Sequence, residues 1–193
     1  MPTVTQELLT AEEFSRLPNP IDGSRQELVR GEVITMPPPS HVHGRVQQSI
    51  GLRLGIYLLQ HPMGQITQNS GIITETGPDS VRGPDVSFWS LERMPLDAEP
   101  VVYANVAPDL CVEVLSPGNR PRRMQEKIRE YFASGVRMVW MVNPELRTVT
   151  VYRHPEEGKT LWEDATITGD DVIPGFSCRI ADFFPPAPAD QTS

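Results

Sequence analysis

The chain has 193 residues, 38% of them apolar and 22% charged, the make-up of one globular domain and not of a disordered segment. Seventeen Lys and Arg against 25 Asp and Glu give a formal net charge of −8. That excludes a protein that coats nucleic acid by bulk positive charge, but leaves room for a local basic patch. Two cysteines are too few for a disulfide scaffold or a four-thiolate zinc site, and no apolar run reaches the ~18 residues of a membrane span. The N-terminal stretch lacks a basic segment followed by a long apolar one, so the expected setting is a reducing cytoplasm.

Thr10 followed three residues later by Glu13 is a capping box, and Phe14 and Leu17 continue it as a short amphipathic helix. Two β-prone runs flank Arg30-Gly31, which predicts a hairpin over residues 26–36. After the Pro37-Pro38-Pro39 loop, Val46, Ile50, Leu54 and Leu58 recur at i+4 and predict a long helix over 43–60. Residues 64–75 read as one strand with a glycine break. GPDVSFW reads as a strand that starts at Pro84, because proline cannot donate to a ladder.

Residues 109–115 form a near-continuous apolar run, the pattern of a strand covered on both faces. A break at SPGNRP leads into a helix with Met124, Ile128, Tyr131 and Phe132 on one side and Gly135 as its stop. VRMVWMV is a second buried strand, and RTVTVYR alternates as a half-buried antiparallel one. Short strands follow near 160–168 and 172–180, and residues 185–193 read as a disordered Pro-rich tail. The order predicts an α/β or α+β fold, a single domain over 1–184 built on a mixed sheet with helices.

Chemistry concentrates at a few positions. Glu113 lies inside the apolar run, where a carboxylate must be neutralised, paired or bound to a metal; a structural salt bridge is the plain alternative. Asp85 follows Gly83-Pro84 at the head of a strand, where Asp is also an ordinary turn residue. Two carboxylates on neighbouring strands suit a hard cation such as Mg²⁺. Lys127 is one of only two lysines beside 15 arginines, and the next helix can bring it back over the strand; pairing with Glu126 or Glu130 is the plainer reading. Glu27 or Glu32 of the early hairpin can add a third acid. His43 is placed to cap the long helix or to touch a phosphate at the site edge. Residues 116–137 hold six basic and two acidic side chains, a solvated helix face or a phosphate-binding one, with Arg120 and Arg123 as candidate phosphate contacts.

An Asp after Pro, a buried strand Glu and a nearby Lys together resemble the PD-(D/E)xK nuclease superfamily. The stretches QELVRGEV, GPDVSFW, LCVEVLSPGNR, EKIREYFASGV, VWMVNPELRTVTVYR and IPGFSCRIADFF resemble more specifically the Uma-two family of restriction-type endonucleases, over roughly residues 8–184. The sequence departs from the superfamily motif at Leu115, where a lysine is expected; the resemblance places that role on Lys127. It implies a restriction-endonuclease-like central mixed sheet of about four to five core strands flanked by helices, with a C-terminal antiparallel β extension over 147–180. It implies a DNA endonuclease in which Asp85 and Glu113, with Glu27, hold Mg²⁺, replaceable by Mn²⁺, to activate a water. It also implies a homodimer, with the β extension and the Trp162 region as candidate interfaces. The alternative of a different class is a nuclease-like DNA-binding or regulatory module with weak or absent catalysis.

Overall fold

The computed structural model describes residues 8–99, 101–118 and 120–186. In chain order these form α1 (Ala11–Ser15), β1 (Arg25–Val29), β2 (Glu32–Met36), α2 (His41–Gln60), β3 (Gly64–Thr67), β4 (Ile72–Glu75), β5 (Ser80–Arg82) and β6 (Val86–Ser90). Then come β7 (Leu110–Val114), α3 (Pro121–Ser134), β8 (Met138–Asn143), β9 (Thr148–His154), β10 (Glu157–Trp162), β11 (Thr166–Thr168), β12 (Ser177–Arg179) and a closing 3-10 turn, Ile180–Phe183. No helix among the described residues is long and apolar enough to cross a membrane.

The central sheet has six strands in the order β10-β9-β8-β7-β6-β3. Only β7 and β8 run parallel, with α3 as the crossover between them; the other neighbours are antiparallel. The expected core of four to five strands is β3, β6, β7 and β8, and the expected antiparallel extension adds β9 and β10 to the same sheet, six strands in all. Only β11 and β12, paired from Thr166↔Arg179 to Thr168↔Ser177, form a separate ribbon. Strands were expected over 160–168 and 172–180; the first spans the end of β10, a turn and β11, and the second shortens to β12.

Period-2 alternation divides the central strands between two cores. Val86, Phe88, Leu110, Val112, Val114, Met138, Trp140 and Val142 face Val46, Ile50, Leu54 and Leu58 of α2, with Phe176 and Phe183 closing the same layer. Trp89, Cys111, Val139 and Met141 face Ile128 and Tyr131 of α3. Glu113 shares its parity with Cys111, so it points toward α3.

A second sheet, β2-β1-β5-β4, stands beside the first. The hairpin turns where predicted: Arg30 at φ 50° and Gly31 at φ 81° both take the left-handed conformation of a tight two-residue turn. The single strand expected over 64–75 is two strands in two sheets. Gly64–Thr67 pairs with β6, and Ile72–Glu75 pairs with β5. Between them Asn69 adopts φ 53°, the bend that moves the chain from one sheet to the other. β6 begins at Val86, two residues beyond Pro84.

Both helix ends read from the sequence are present. Glu13 N–H donates to Thr10 Oγ1 and Thr10 N–H donates to Glu13 Oε2, completing the capping box. Gly135 ends α3 at φ 103°. The tail expected from 185 onward lies, from residue 187, outside the described residues.

Candidate active site

The two sheets meet along a cleft of about 960 Å³, and its floor is ionic. Glu27 reaches it from β1, Arg82 from β5, Asp85 from the head of β6, Glu113 from β7 and Lys127 from α3. Asp85 and Glu113 are neighbours by register. Each lies one residue beyond the antiparallel Val86↔Val112 pair on neighbouring strands, close enough for the Asp85 charge to be felt at Glu113. The Val114 N–H donates to Asp85 Oδ2 at 2.7 Å and locks that edge of the ladder.

Lys127 is the centre of the network. Its Nζ lies 2.8 Å from Glu27 Oε1 and 2.8 Å from Glu113 Oε1. The expected alternative partners, Glu126 and Glu130, pair instead with Arg122 and Arg82. α3 presents Lys127 and Tyr131 four residues apart, one above the other on the buried face. Tyr131 donates its hydroxyl to Glu113 Oε1 at 2.5 Å. Glu27 is held further by Arg82 Nη1 at 3.0 Å and by the Gly83 N–H at 3.1 Å. Arg82 is itself clamped on Glu130, which also accepts from Thr74.

The carboxylates respond differently to this burial. At Glu27 burial favours the neutral acid, but Lys127 and Arg82 outweigh it and hold the carboxyl below its ordinary range. At Glu113 burial prevails over Lys127, and the charges of Asp85 and Glu27 push the same way, so its pKa is raised. Asp85 is lowered: burial opposes its charge, and the His43 ring, Arg25 and the Val114 N–H overcome that. Burial also opposes a charge on Lys127, yet Glu113 and Glu27 hold the ammonium above the usual lysine range.

His43 is not the helix cap. Ser40 is, its Oγ accepting from the His43 N–H at 3.2 Å. The imidazole turns inward, with Nε2 2.9 Å from Asp85 Oδ1 and Nδ1 3.2 Å from Ser116 Oγ. It is buried at 3% exposure. It therefore meets the carboxylate directly, at the wall of the cleft. Gln47, one turn on, donates to the Asp85 carbonyl at 2.8 Å.

The basic stretch over 116–137 divides. Arg122 pairs with Glu126, Arg129 with Glu156, Arg137 with Asp109 and Asp171, and Lys127 joins the floor. Arg120 and Arg123 are exposed, line the cleft, and have no ion-pair partner among the described residues.

Four participants were missing from the sequence reading. Arg25 donates to Asp85 Oδ1 at 2.7 Å and to Asn69 Oδ1 at 2.9 Å. Arg82 and Glu130 brace Glu27, and Tyr131 braces Glu113. Tyr131 was visible as an i+4 partner of Lys127 but read as core. Arg25 and Arg82 carry no local signal, because only sheet pairing brings them to the acids. The second hairpin acid, Glu32, is exposed at the turn.

Oxygen donors such as these suit Mg²⁺. Among the described residues no group of three or more His, Cys, Asp or Glu side chains is placed to hold a metal ion. Asp85 and Glu113 both line the cleft, and a cation held there would need water or substrate oxygens to complete its shell.

A mixed sheet with a parallel central pair, flanked by helices and carrying acids at the edge of a cleft, is the fold of the restriction-endonuclease-like class. Residues 11–181 match the model of the Uma2 family, described as putative restriction endonuclease, and the chain belongs to that family. The crystal structure of a putative nuclease belonging to DUF820 from Anabaena variabilis superposes with a TM-score of 0.78 at 23% identity. That match covers 91% of this chain and 97% of the other, and it shows the shared fold. No curated protein matches the chain.

Proposed function

We propose that this protein is a divalent-metal-dependent endonuclease that hydrolyses phosphodiester bonds in DNA. The observation that carries the reading is the convergence of Asp85, Glu113 and Lys127 on one cleft, with Lys127 2.8 Å from Glu113. Asp85 and Glu113 would hold Mg²⁺ or Mn²⁺, which supplies Lewis-acid polarisation of a phosphate and makes water more acidic. Lys127 offsets negative charge that develops on the phosphate oxygens and fixes the Glu113 carboxylate. Glu27 holds Lys127 in place from the other side, so it positions a catalytic group without meeting substrate. Tyr131 restricts Glu113 to one rotamer. His43 and Arg25 orient Asp85, and Arg25, 30% exposed on the cleft, would be free to meet a phosphate if a cation held that carboxylate. Arg120 and Arg123 at the lip receive flanking phosphates.

The proposal includes a cytoplasmic setting and a homodimer joined through the edge strand β10, where Trp162 is 60% exposed. Sedimentation of the wild type and Trp162→Glu tests the dimer.

A second reading is a DNA-binding module without catalysis. It is favoured by Asp85, whose two oxygens both accept protein donors. Glu113→Gln separates the two. It abolishes Mn²⁺-dependent cleavage of plasmid and oligonucleotide DNA under the nuclease reading, with the circular dichroism spectrum unchanged. Retained cleavage in Glu113→Gln contradicts that reading, and DNA binding without cleavage in the wild type supports the second.

A further inference from the structure

Only part of the cleft is charged. Away from the acids its lining turns apolar, through Leu17, Met36, Val102 and Tyr103. Leu17 and Val102 stay exposed there, Val102 at 73%. Apolar side chains left open beside an ionic floor mark a place where something flat and apolar is received.

This shelf is held rigidly. The Tyr103 ring stacks on Phe14 with centroids 5.8 Å apart. It also lies so close to Gly71 that a Cβ there would come within 2.4 Å of the ring. The next residue is tied to β4 on both sides: Ala104 N–H donates to Gly71 at 3.0 Å, and Ile73 N–H donates to Ala104 at 2.8 Å. Tyr103, at the centre of the shelf, is therefore fixed on the second sheet.

We propose that the shelf receives the nucleobase next to the scissile phosphate, so that the substrate is a single strand or an unpaired stretch. The inference rests on the nuclease reading of the cleft. Two observations lead to it. The acids are deep, with Asp85 at 2% and Glu113 at 8% exposure, so the phosphate must descend to them. The apolar surface lines the same cleft as the acids, so a strand whose phosphate reaches the floor brings its bases past it. In a duplex the flat face of each base is covered by its stacked neighbours, and only its edges are open in the grooves. A single strand offers a phosphate and an open base face together, the combination read by grooves that join cationic and apolar surfaces. The volume of about 960 Å³ sits at the upper end of the roughly 300–1,000 Å³ of pockets that enclose one small ligand. It suits a short length of one strand. Arg120 and Arg123 at the lip supply the cations for the neighbouring phosphates.

The test is fluorescence anisotropy with three labelled probes at one salt concentration: a single-stranded DNA oligomer, the same oligomer with central abasic residues, and its duplex. The wild-type protein is expected to bind the intact single strand at least about tenfold more tightly than the other two, the scale of one base contact. Val102→Asp is the variant, since its exposed position leaves the core untouched; it should erase the difference between intact and abasic strands while the melting temperature stays constant. Equal binding of the abasic strand, equal or tighter binding of the duplex, or no binding of any probe overturns the shelf. Base-dependent binding without Mn²⁺-dependent cleavage overturns the nuclease reading and leaves the shelf standing. Cleavage with no dependence on bases does the reverse.

Discussion

At the scale of single residues, the floor of the cleft is a balance of buried charges in which no member stands alone. Lys127 answers two carboxylates, Glu27 and Glu113, and is itself 6% exposed. Lys127→Met removes one cation and leaves two acids facing each other in a desolvated site. Breaking such a buried pair from one side costs about 3–5 kcal/mol, so urea unfolding should register a loss of that size at neutral pH. The loss should shrink in acid, where Glu113 takes a proton first. The direction follows from the two kinds of shift. Glu113 is raised above its ordinary 4.5, so the fold binds its proton more readily than the unfolded chain does, and its ionisation weakens the fold as pH rises through that raised value. Asp85 and Glu27 are lowered below 3.8 and 4.5, so they stabilise the fold above those values and lose that contribution as pH falls through their folded-state pKa. A cation needs the Glu113 carboxylate. Its binding is therefore expected to weaken as pH falls from neutrality through the raised Glu113 value, and to release a proton there. Calorimetry in buffers of different ionisation enthalpy measures that proton directly; binding with no proton release in that range contradicts the assignment of Glu113.

At the scale of elements, the parts most legible in the sequence were those whose signal is local. The Thr10–Glu13 capping box, the turn at Arg30-Gly31 and the Gly135 stop each depend on a few adjacent residues, and each is where it was expected. The helix over 43–60 and the buried strand around Glu113 were fixed by periodicity and by an unbroken apolar run. What failed was partnership between strands. Residues 64–75 have uniform β propensity, and nothing local says that β3 joins one sheet and β4 another. The antiparallel extension over 147–180 is present, but nothing local says that β9 and β10 join the central sheet, through pairs such as Met141↔Thr150, while β11 and β12 form their own ribbon. The hairpin matters to the site because β1 carries Glu27. At Gly31 the backbone is at φ 81° and an added Cβ would lie 2.6 Å from Leu8 Cβ. Gly31→Val is therefore expected to cost about 1–3 kcal/mol in thermal or urea unfolding. A change within experimental error would show that the turn relaxes freely.

At the scale of the whole molecule, the formal charge of −8 means that, on the nuclease reading, nucleic acid must be met by local cations. Of the six cations between 116 and 137, four are committed to ion pairs. Arg120 and Arg123 remain, and the local +4 read from the sequence shrinks accordingly. Replacing either with Ala is expected to lower the slope of log affinity against log salt by about one, uniformly across sequences. An unchanged slope in both variants would place the phosphate contacts elsewhere. The acids and Lys127 were legible because buried charge is rare and lysine is scarce here. Arg25 and Arg82 were not, because arginine is common in this chain and only the fold brings them to Asp85 and Glu27. On the nuclease reading, Asp85 and Glu113, which line one cleft, form one cation site. Calorimetric titration of Mn²⁺ and Mg²⁺ into the wild type, Asp85→Ala and Glu113→Ala tests it, with a short DNA present and circular dichroism confirming that each chain is folded. One site in the wild type, lost in both variants, is the predicted result. Equal binding in all three proteins, or none in the wild type even with DNA, would contradict a shared site at Asp85 and Glu113.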